Sequence, residues 1–265
     1  MKDERTELRE RRTENTKTYE NPDHSFTKEI YLSPVHYQTE DGNWEEMDDT
    51  LTDVETPSET ENAAEKVQKK VADASAFINC KGRWQASFAP YADAASVVTI
   101  KDGAHTISWH LEQAAPSEAC RKDAQVLVYP EILPGIDAEY HTAGQAVKEN
   151  LILKGAAQVP EDFTFVYHAE GLQAVQKGNR VLFTDETGTE VFCMSAPLMK
   201  DASGAKSEQL KVALEEDTEE KDTWRITLMP DHSWLRDAAR VYPVTVDPLT
   251  TSSLEVNEIE DAHVD

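Results

Sequence analysis

Short runs of alternating apolar and polar residues, separated by glycine-containing turns, constrain the fold of this chain more than any other feature. The clearest example is ASVVTIKDGAHTISWHLEQAA at 95–115, where the alternation continues on both sides of Asp102-Gly103. Asp-Gly is a favoured two-residue hairpin turn, and a period of two residues indicates a half-buried strand. The stretch therefore predicts an antiparallel hairpin. Its expected inward-facing residues are Val98, Ile100, Ile107 and Trp109.

Similar hairpins are predicted along most of the chain. SAFINCK and RWQASFAPY flank Gly82, strands at 137–142 and 147–153 flank Ala143-Gly144, and LQAVQ and RVLFTD flank a turn at 177–179. Turn signals recur roughly every ten residues, with no alternation of strands and helices and no glycine-rich phosphate loop. The predicted fold class is all-β, with an antiparallel β-sandwich architecture.

Composition shifts along the chain predict its domain organisation. Two packed β subdomains are expected at 20–155 and 160–248, and an acidic linker at 52–75 lies inside the first. Residues 1–19 are highly charged and predict a short, frayed, helical or disordered lead-in, because they offer no apolar face to dock. Residues 249–265 are expected to be a tail that begins a following domain.

The segment after the lead-in is expected to bury its apolar side. HSFTKEIYLSPVHYQ at 24–38 alternates as strands do, which makes Ile30, Leu32 and Val35 inward-facing candidates. Asp41-Gly42 then supplies a second hairpin turn.

The acidic balance limits the partners that the chain is expected to bind. It has 51 Asp and Glu against 26 Lys and Arg, a formal net charge of −25. Such a charge repels phosphate backbones and anionic headgroups, so we expect no nucleic-acid partner and no membrane partner. No apolar run approaches the roughly 20 residues of a membrane span, and the charged start lacks the apolar stretch of a secretory signal. Taken alone, this start predicts a cytoplasmic protein, or a piece of a longer one.

Five stretches in order carry a resemblance to a known family. The stretches are RTENTKTY at 12–19, SPVHYQTEDGNWEEMDDTL at 33–51, YPEILPGIDAEYHTAGQAVKENLIL at 129–153, FTDETGTEVFCMSAPLMKDASG at 183–204 and MPDHSWLRDAARVYPVTVDP at 229–248. With these stretches the chain resembles the module that precedes the DNRLRE domain in large secreted bacterial proteins, many of which also carry RHS or YD repeats: the wall-associated, polymorphic-toxin-like group.

The resemblance implies a role outside the cell. In proteins of this type YPVTVDP closes the module, and a segment such as IEDAHVD begins the DNRLRE domain. An extracellular or cell-wall location, and adjacent domains of the parent polypeptide as partners, follow from the resemblance and not from composition. It also implies by analogy a cell-wall or glycan ligand as an alternative.

An acidic turn is the candidate metal site. Asp41, Asn43, Glu45 and Asp48 supply clustered oxygen ligands of the kind that calcium prefers. They lack the alternating ligand order of a calcium-binding loop, and a solvated hairpin turn explains them more simply. We therefore expect no cofactor, with calcium and a calcium-stabilised adhesin as an alternative that a chelator would test.

Two tryptophans are candidate ligand-binding residues. Trp44 lies beside a turn and Trp234 on a short predicted helix, so both are candidates for an exposed platform that stacks on sugar rings. Trp109 and Trp224 lie in alternating strands and are expected to fill the core. A carbohydrate- or cell-wall-binding module is accordingly the first alternative function.

The sequence offers one weak set of catalytic groups. Asp231, His232, Asp237 and Asp247 lie near one another in sequence, as a glycoside hydrolase or peptidase-like enzyme would require. Asp231 is more simply a helix N-cap, and Asp247 a side chain that ties the turn before Pro248. The sequence thus predicts no catalytic residues, no enzyme, and a structural module that spaces or supports adjacent domains.

The cysteines give no strong signal. Cys80, Cys120 and Cys193 match no metal-binding spacing, and no pair is nominated for a disulfide. Three buried small apolar residues are the favoured interpretation.

Overall fold

Antiparallel strands are the main secondary structure of the described chain. The computed structural model describes residues 5–32, 34–39, 41–54, 76–144, 146–247 and 249–252. Two large sheets account for most strands, and a small sheet and a separate hairpin come from the first fifty residues. Every strand pair is antiparallel, which confirms the predicted all-β sandwich.

An eight-stranded sheet forms one layer. Its spatial order is β21-β22-β15-β10-β9-β8-β7-β6. The strands are β6 (Asp48–Asp53), β7 (Phe77–Lys81), β8 (Trp84–Phe88), β9 (Val98–Asp102), β10 (His105–Leu111), β15 (Phe163–His168), β21 (Lys211–Glu216) and β22 (Thr223–Met229).

An eleven-stranded sheet forms the other layer. Its main path is β11-β12-β13-β14-β24-β18-β17-β16, and β23 pairs with both β14 and β19, which in turn pairs with β20. The strands are β11 (Cys120–Asp123), β12 (Val126–Leu133), β13 (Ile136–Ala143), β14 (Ala146–Leu153), β16 (Gln173–Lys177), β17 (Arg180–Thr184), β18 (Glu190–Met194), β19 (Leu198–Asp201), β20 (Lys206–Ser207), β23 (Val244–Asp247) and β24 (Leu249–Ser252).

The remaining elements are short. A three-stranded sheet and a hairpin come first in the chain, and α1 is a single helical turn. They are β1 (Thr6–Glu7), β2 (Thr16–Glu20), β3 (Phe26–Ile30), β4 (His36–Gln38), β5 (Trp44–Glu46) and α1 (His232–Leu235), with 3₁₀ turns at Arg9–Arg11 and Ala156–Gln158.

Aromatic side chains from both sheets meet in the core. The Phe183 ring on β17 lies 5.7 Å from the Tyr167 ring on β15 and 5.7 Å from the Trp224 ring on β22. Phe88 on β8 approaches Tyr140 on β13 at 5.9 Å. These ring pairs join opposite layers, so burial of large aromatic surfaces holds the two sheets together.

One buried carboxyl group also crosses the sandwich. Glu149 on β14 is 2 % exposed and accepts hydrogen bonds from Tyr140 Oη at 2.7 Å and from Trp109 Nε1 at 2.9 Å. Trp109 belongs to the opposite sheet. Burial raises the pKa of Glu149 to about 7, although both hydrogen bonds act to lower it.

The predicted hairpins are present. β9 and β10 pair so that His105 faces Asp102, and Gly103 has the positive φ that this turn requires. β13 and β14 pair from Ala143↔Ala146 onward. The expected inward residues of the first hairpin are confirmed as buried: Val98, Ile100, Ile107 and Trp109.

Strands from both predicted subdomains share the large sheets. β10 hydrogen-bonds to β15, and β14 to β23, so the interval 155–160 does not separate one sheet from another. The division into 20–155 and 160–248 stays a prediction. The larger sheet also extends past 248, because β24 pairs with β14 and β18. The rest of the predicted tail, 253–265, lies outside the described residues, as does most of the predicted linker, 55–75.

The lead-in differs from the prediction of a frayed segment. β1 pairs with β2, and the Arg12 guanidinium, 8 % exposed as a residue, makes a bidentate ion pair with Glu7. The Arg5 guanidinium lies 4.2 Å from the centre of the Tyr19 ring. Backbone pairing and paired charges dock this segment, so the lack of an apolar face did not predict its state.

The expectation that Ile30 and Leu32 face inward is wrong. Ile30 is 76 % exposed and Leu32 is fully exposed, while Val35 is half-buried. β3 is an edge strand, and its alternation places Thr27 and Glu29 on the covered side. Because successive side chains of a strand point to opposite faces, a shift by one residue exchanges the covered and exposed sets.

Glu149 makes the stability of the sandwich depend on pH. Because its folded-state pKa of about 7 exceeds the ordinary value of 4.5, its stabilising contribution is complete below 4.5 and is lost as pH rises through 7. Between about pH 5 and about pH 8 we expect the unfolding free energy of the unmodified protein to fall by about 2–3 kcal/mol relative to that of Glu149→Gln.

Urea unfolding at both pH values measures this difference. Glu186→Gln, a substitution at an exposed turn residue, is the matched control and should follow the unmodified protein at both pH values. An equal free-energy difference between Glu149→Gln and the unmodified protein at the two pH values would contradict the assignment.

Candidate functional site: a cleft beside Trp44

A polar cleft of about 260 Å³ lies between the β4–β5 hairpin and the residue that precedes β8. One side is formed by the hairpin, including the half-buried indole of Trp44, and the other by Arg83. Its lining residues are Glu14, His36, Tyr37, Gln38, Trp44, Met47 and Arg83.

The hairpin fixes the position of Trp44. Gln38 pairs directly with Trp44, and Gly42 takes the positive φ that closes the loop between them. The loop is further held by a hydrogen bond from Gln38 Nε2 to the Gly42 carbonyl at 2.9 Å. These contacts place an aromatic side chain and an amide side by side at the mouth of the cleft.

His36 forms the buried wall of the cleft. The residue is 1 % exposed, and its Nδ1 lies 2.7 Å from the carbonyl oxygen of Thr13. Because a carbonyl only accepts, Nδ1 carries the proton in this hydrogen bond. Among the described residues Nε2 has no hydrogen-bond partner.

Two ion-paired carboxylates lie beside His36. Arg12 Nη2 is 2.7 Å from Glu7 and 3.5 Å from Glu46, and Lys17 Nζ also pairs with Glu46. These hydrogen bonds lower the pKa of both carboxyl groups, and the bond to Glu7 raises the pKa of Arg12. The two negative charges are therefore matched by two positive ones.

Together with His36, the same two carboxylates form a group of potential metal ligands. Ligand atoms of Glu7, His36 and Glu46 lie within 4.8 Å of one another. A divalent cation would meet Arg12 and Lys17 already bound to the carboxylates, and would have to displace them. The arrangement is an ion-pair network bordering the cleft.

The acidic turn residues proposed for calcium have separate partners. The Glu45 carboxylate accepts from Tyr37 Oη at 3.2 Å, and Asp48 accepts from the Thr50 backbone N–H at 3.0 Å. Asp41 and Asn43 are exposed at the turn itself. Calcium binding by this set stays a prediction.

Trp234 does not line the Trp44 cleft. It is half-buried against the core, with the Arg240 guanidinium 4.3 Å from its ring centre. Arg240 Nη1 in turn binds Asp201 Oδ2 at 3.0 Å. Of the two tryptophans proposed for ligand binding, Trp44 is the one beside a cleft, and Trp234 is held in a stack that ties the α1 region to β19.

The residues considered for hydrolysis each have local bonds. Asp231 caps α1 by accepting from the backbone N–H groups of Ser233 and Trp234, as predicted. Asp237 accepts from the Ala239 backbone N–H at 2.7 Å. His232 Nε2 lies 3.7 Å from the Glu161 carboxylate.

Asp247 has a partner in a neighbouring strand. Its carboxylate pairs with Lys148 across the sheet at 2.8 Å. The residue thus links neighbouring strands of the larger sheet. The turn that it was predicted to tie includes Pro248, which lies outside the described residues, so that role stays a prediction.

The cysteines differ in burial from the expectation. Cys193 is buried, as expected, and burial raises the pKa of its thiol. Cys80 is exposed because it follows the buried Asn79 and faces away from the core, and Cys120 is exposed because it lies on β11, an edge strand whose residues are all exposed. Cys80 and Cys120 are free thiols, and Cys193 Sγ accepts a hydrogen bond from Arg180 Nη2 at 3.2 Å.

Trp109 and Trp224 are confirmed as core residues, 1 % and 4 % exposed. A larger depression of about 480 Å³ lies over the loop at 200–204, but its described lining includes no aromatic side chain. The Trp44 cleft is therefore the better candidate for recognition of a ring-shaped ligand.

Sequence reasoning missed His36, Arg83 and Glu149. His36 and Arg83 are 47 positions apart and meet only through tertiary packing, so no local pattern could pair them. Glu149 left a usable signal, because a period of two places it on the same face as Val147 and Leu151. A carboxyl group in an otherwise apolar alternation indicates a buried polar contact.

Curated relatives of the chain are wall-associated bacterial proteins and nucleases. The tRNA(Glu)-specific nuclease WapA of Bacillus subtilis subsp. natto and the tRNA nuclease WapA of Bacillus subtilis are each 29% identical over 94% of this chain and 10% of their own length. A wall-associated protein of Geobacillus stearothermophilus is 28% identical over 74% of this chain and 75% of its length. The chain thus spans about a tenth of the length of the WapA relatives.

Two other comparisons gave no match. No protein-family model matches the chain, and no solved structure matches it at a significant level.

These relatives support a cell-wall surface context and correct one prediction. The prediction of a non-enzymatic protein is wrong for this group, since three relatives are named as tRNA nucleases. The predicted DNRLRE and RHS neighbours, and the exclusion of nucleic acid and membrane partners, stay predictions. No helix in the described part of the chain is long and apolar enough to cross a membrane.

Asp201 should stabilise the fold more than an aspartate that makes only the same turn hydrogen bonds, because it also pairs with Arg240. Asp185 and Asp201 each accept from the backbone N–H groups two and four residues ahead, but only the second also binds Arg240. We expect Asp201→Asn to lower the melting temperature clearly more than the matched Asp185→Asn, because Arg240 would lose its anionic partner while remaining largely covered.

The melting-temperature loss caused by Asp201→Asn should become smaller at low pH. Hydrogen bonds lower the pKa of Asp201 to about 2, and the largest contribution comes from the Ser203 side chain. The stabilising contribution of the Asp201 carboxylate is therefore present above the ordinary pKa of 3.8 and is lost as pH falls toward 2. Thermal melts at about pH 7 and about pH 3 measure this. Equal losses for the two substitutions at neutral pH would show that Arg240 adds nothing.

Proposed function

We propose that this chain is a β-sandwich module that presents and spaces neighbouring domains of a wall-associated bacterial surface protein. The observation that carries the proposal is the alignment of almost the whole chain with about a tenth of much longer relatives. An alignment with a small part of longer proteins supports the interpretation of this segment as one module among several, with a role in positioning its neighbours.

The physical character of the module supports this role. Both layers are continuous antiparallel sheets joined by aromatic packing and by the Trp109–Glu149 hydrogen bond. A rigid body with a net charge of −25 stays well solvated while it keeps a fixed distance between its neighbours. DNRLRE- and RHS-type domains are the neighbours that we propose.

We also propose that the full-length protein is a nuclease that acts on tRNA. This proposal rests on the names of three relatives, of which this chain covers 10%. It concerns the parent polypeptide as a whole.

Carbohydrate binding is the second candidate function. The observation that favours it is the position of Trp44 beside a cleft that is otherwise lined mainly by polar side chains. A wall-associated protein would meet glycans at its site of action.

Deletion of the module from the full-length protein tests the presentation role. We expect loss of residues 5–252 to reduce the amount of protein that externally added protease can reach on intact cells, because the remaining domains lose their support. The tRNA cleavage by the purified protein should be retained.

A control replaces the module with an unrelated β-sandwich of similar size, which should restore surface exposure if spacing and rigidity are sufficient. Full surface exposure after simple deletion would refute the presentation role. Loss of tRNA cleavage by the purified deletion protein would instead place this segment within the catalytic part.

A further inference from the structure

We infer that the cleft beside Trp44 binds a neutral, hydroxyl-rich ring of the pyranoside type. The inference rests on the carbohydrate-binding candidate and not on the presentation role. It is carried by three observations: an aromatic side chain at the cleft, a lining residue, His36, whose Nε2 is buried without a hydrogen-bond partner among the described residues, and a balance of charge around the cleft.

The buried acceptor is Nε2 of His36. Because Nδ1 carries the proton of the hydrogen bond to the Thr13 carbonyl, Nε2 is the acceptor of the ring in this tautomer. Within the described part of the chain no protein donor reaches it, and a polar atom this deeply covered is costly without a partner. The fitting partner is a ligand group that donates, such as a hydroxyl.

The other lining groups suit the same ligand. Gln38 uses its Nε2 to bind the Gly42 carbonyl, which leaves its carbonyl oxygen as an acceptor at the cleft. Glu14 adds a carboxylate acceptor, and Arg83 adds donors beyond the N–H that faces Asp102 at 3.4 Å. Acceptors and donors on one wall match hydroxyl groups, which both donate and accept.

The charges argue for a neutral ligand. The lining contains one acidic residue, Glu14, and one basic residue, Arg83. The adjacent Glu7 and Glu46 are paired with Arg12 and Lys17. An anion would meet the strongly negative protein as a whole, and a cation would compete with two bound basic side chains. Neither an anionic nor a cationic ligand would therefore gain favourable electrostatic energy by binding in the cleft.

Size and shape favour a single ring. The volume of about 260 Å³ is below that of most sites for drug-sized ligands, which start near about 300 Å³. Trp44 is half-buried, so part of its flat face remains available for stacking. One ring of an oligosaccharide fits these limits, with the rest of the chain lying outside.

Titration of the complete chain with chitotetraose, a neutral oligomer of N-acetylglucosamine, tests the inference. We expect saturable binding by calorimetry at ligand concentrations up to about 10 mM, and binding that persists in high salt because no ion pair forms. In a ¹H–¹⁵N spectrum the indole N–H of Trp44 should shift on titration, while the indole N–H of Trp234 should not.

Substitutions then locate the site. Trp44→Ala should weaken binding at least about tenfold, and His36→Asn about fivefold, because asparagine can still donate to the Thr13 carbonyl but lacks the Nε2 acceptor. Trp234→Ala removes a tryptophan that does not line the cleft and should leave the affinity unchanged. Glu14→Ala, at an exposed residue, should weaken binding without affecting folding.

Two results would overturn the inference. One is the absence of both heat and indole shifts at about 10 mM ligand. The other is equal weakening by Trp44→Ala and Trp234→Ala in folded proteins. Either result would leave the deletion experiment on the presentation role unaffected, so the two proposals fail separately.

Discussion

The contact that fixes the two layers against each other is the hydrogen bond between Glu149 and Trp109. Two sheets that meet only through apolar surfaces can pack in several relative positions. A buried carboxyl group that must reach two hydrogen-bond donors restricts them to one. Tyr140 and Trp109 satisfy the two oxygens from opposite sheets, and the stacked rings of Tyr167 and Trp109, 5.4 Å apart, continue the same packing. The positions of the hairpins at the sandwich surface depend on this alignment.

The local chemistry of turns and alternation was enough to predict most strands. Asp102-Gly103 and Ala143-Gly144 each specify a two-residue loop, and the strands on either side follow from the period of two. Asp231 was predicted as an N-cap because its type and position suffice for that role. The pairing of distant strands, such as β10 with β15, required the closed core and could not be read from neighbouring residues.

The cleft lay beyond sequence reasoning except for one member. Trp44 was a candidate because tryptophan beside a polar turn is often accessible, but His36 and Arg83 join it through contacts between segments far apart in the chain. The docking of the first residues was missed for a related reason. A search for apolar faces overlooks a segment held by Arg12 and Glu7, whose attraction depends on partial burial and two-point geometry.

The position of β14 has a consequence for biogenesis. One of its edges is completed by β23 and β24, about a hundred residues later in the chain. While the polypeptide is still emerging, that edge has no partner, and the larger sheet cannot close. Because this sheet closes late, the nascent chain stays incompletely folded for longer. During that time the open edge of β14 can pair with a strand of another copy before β23 and β24 are made.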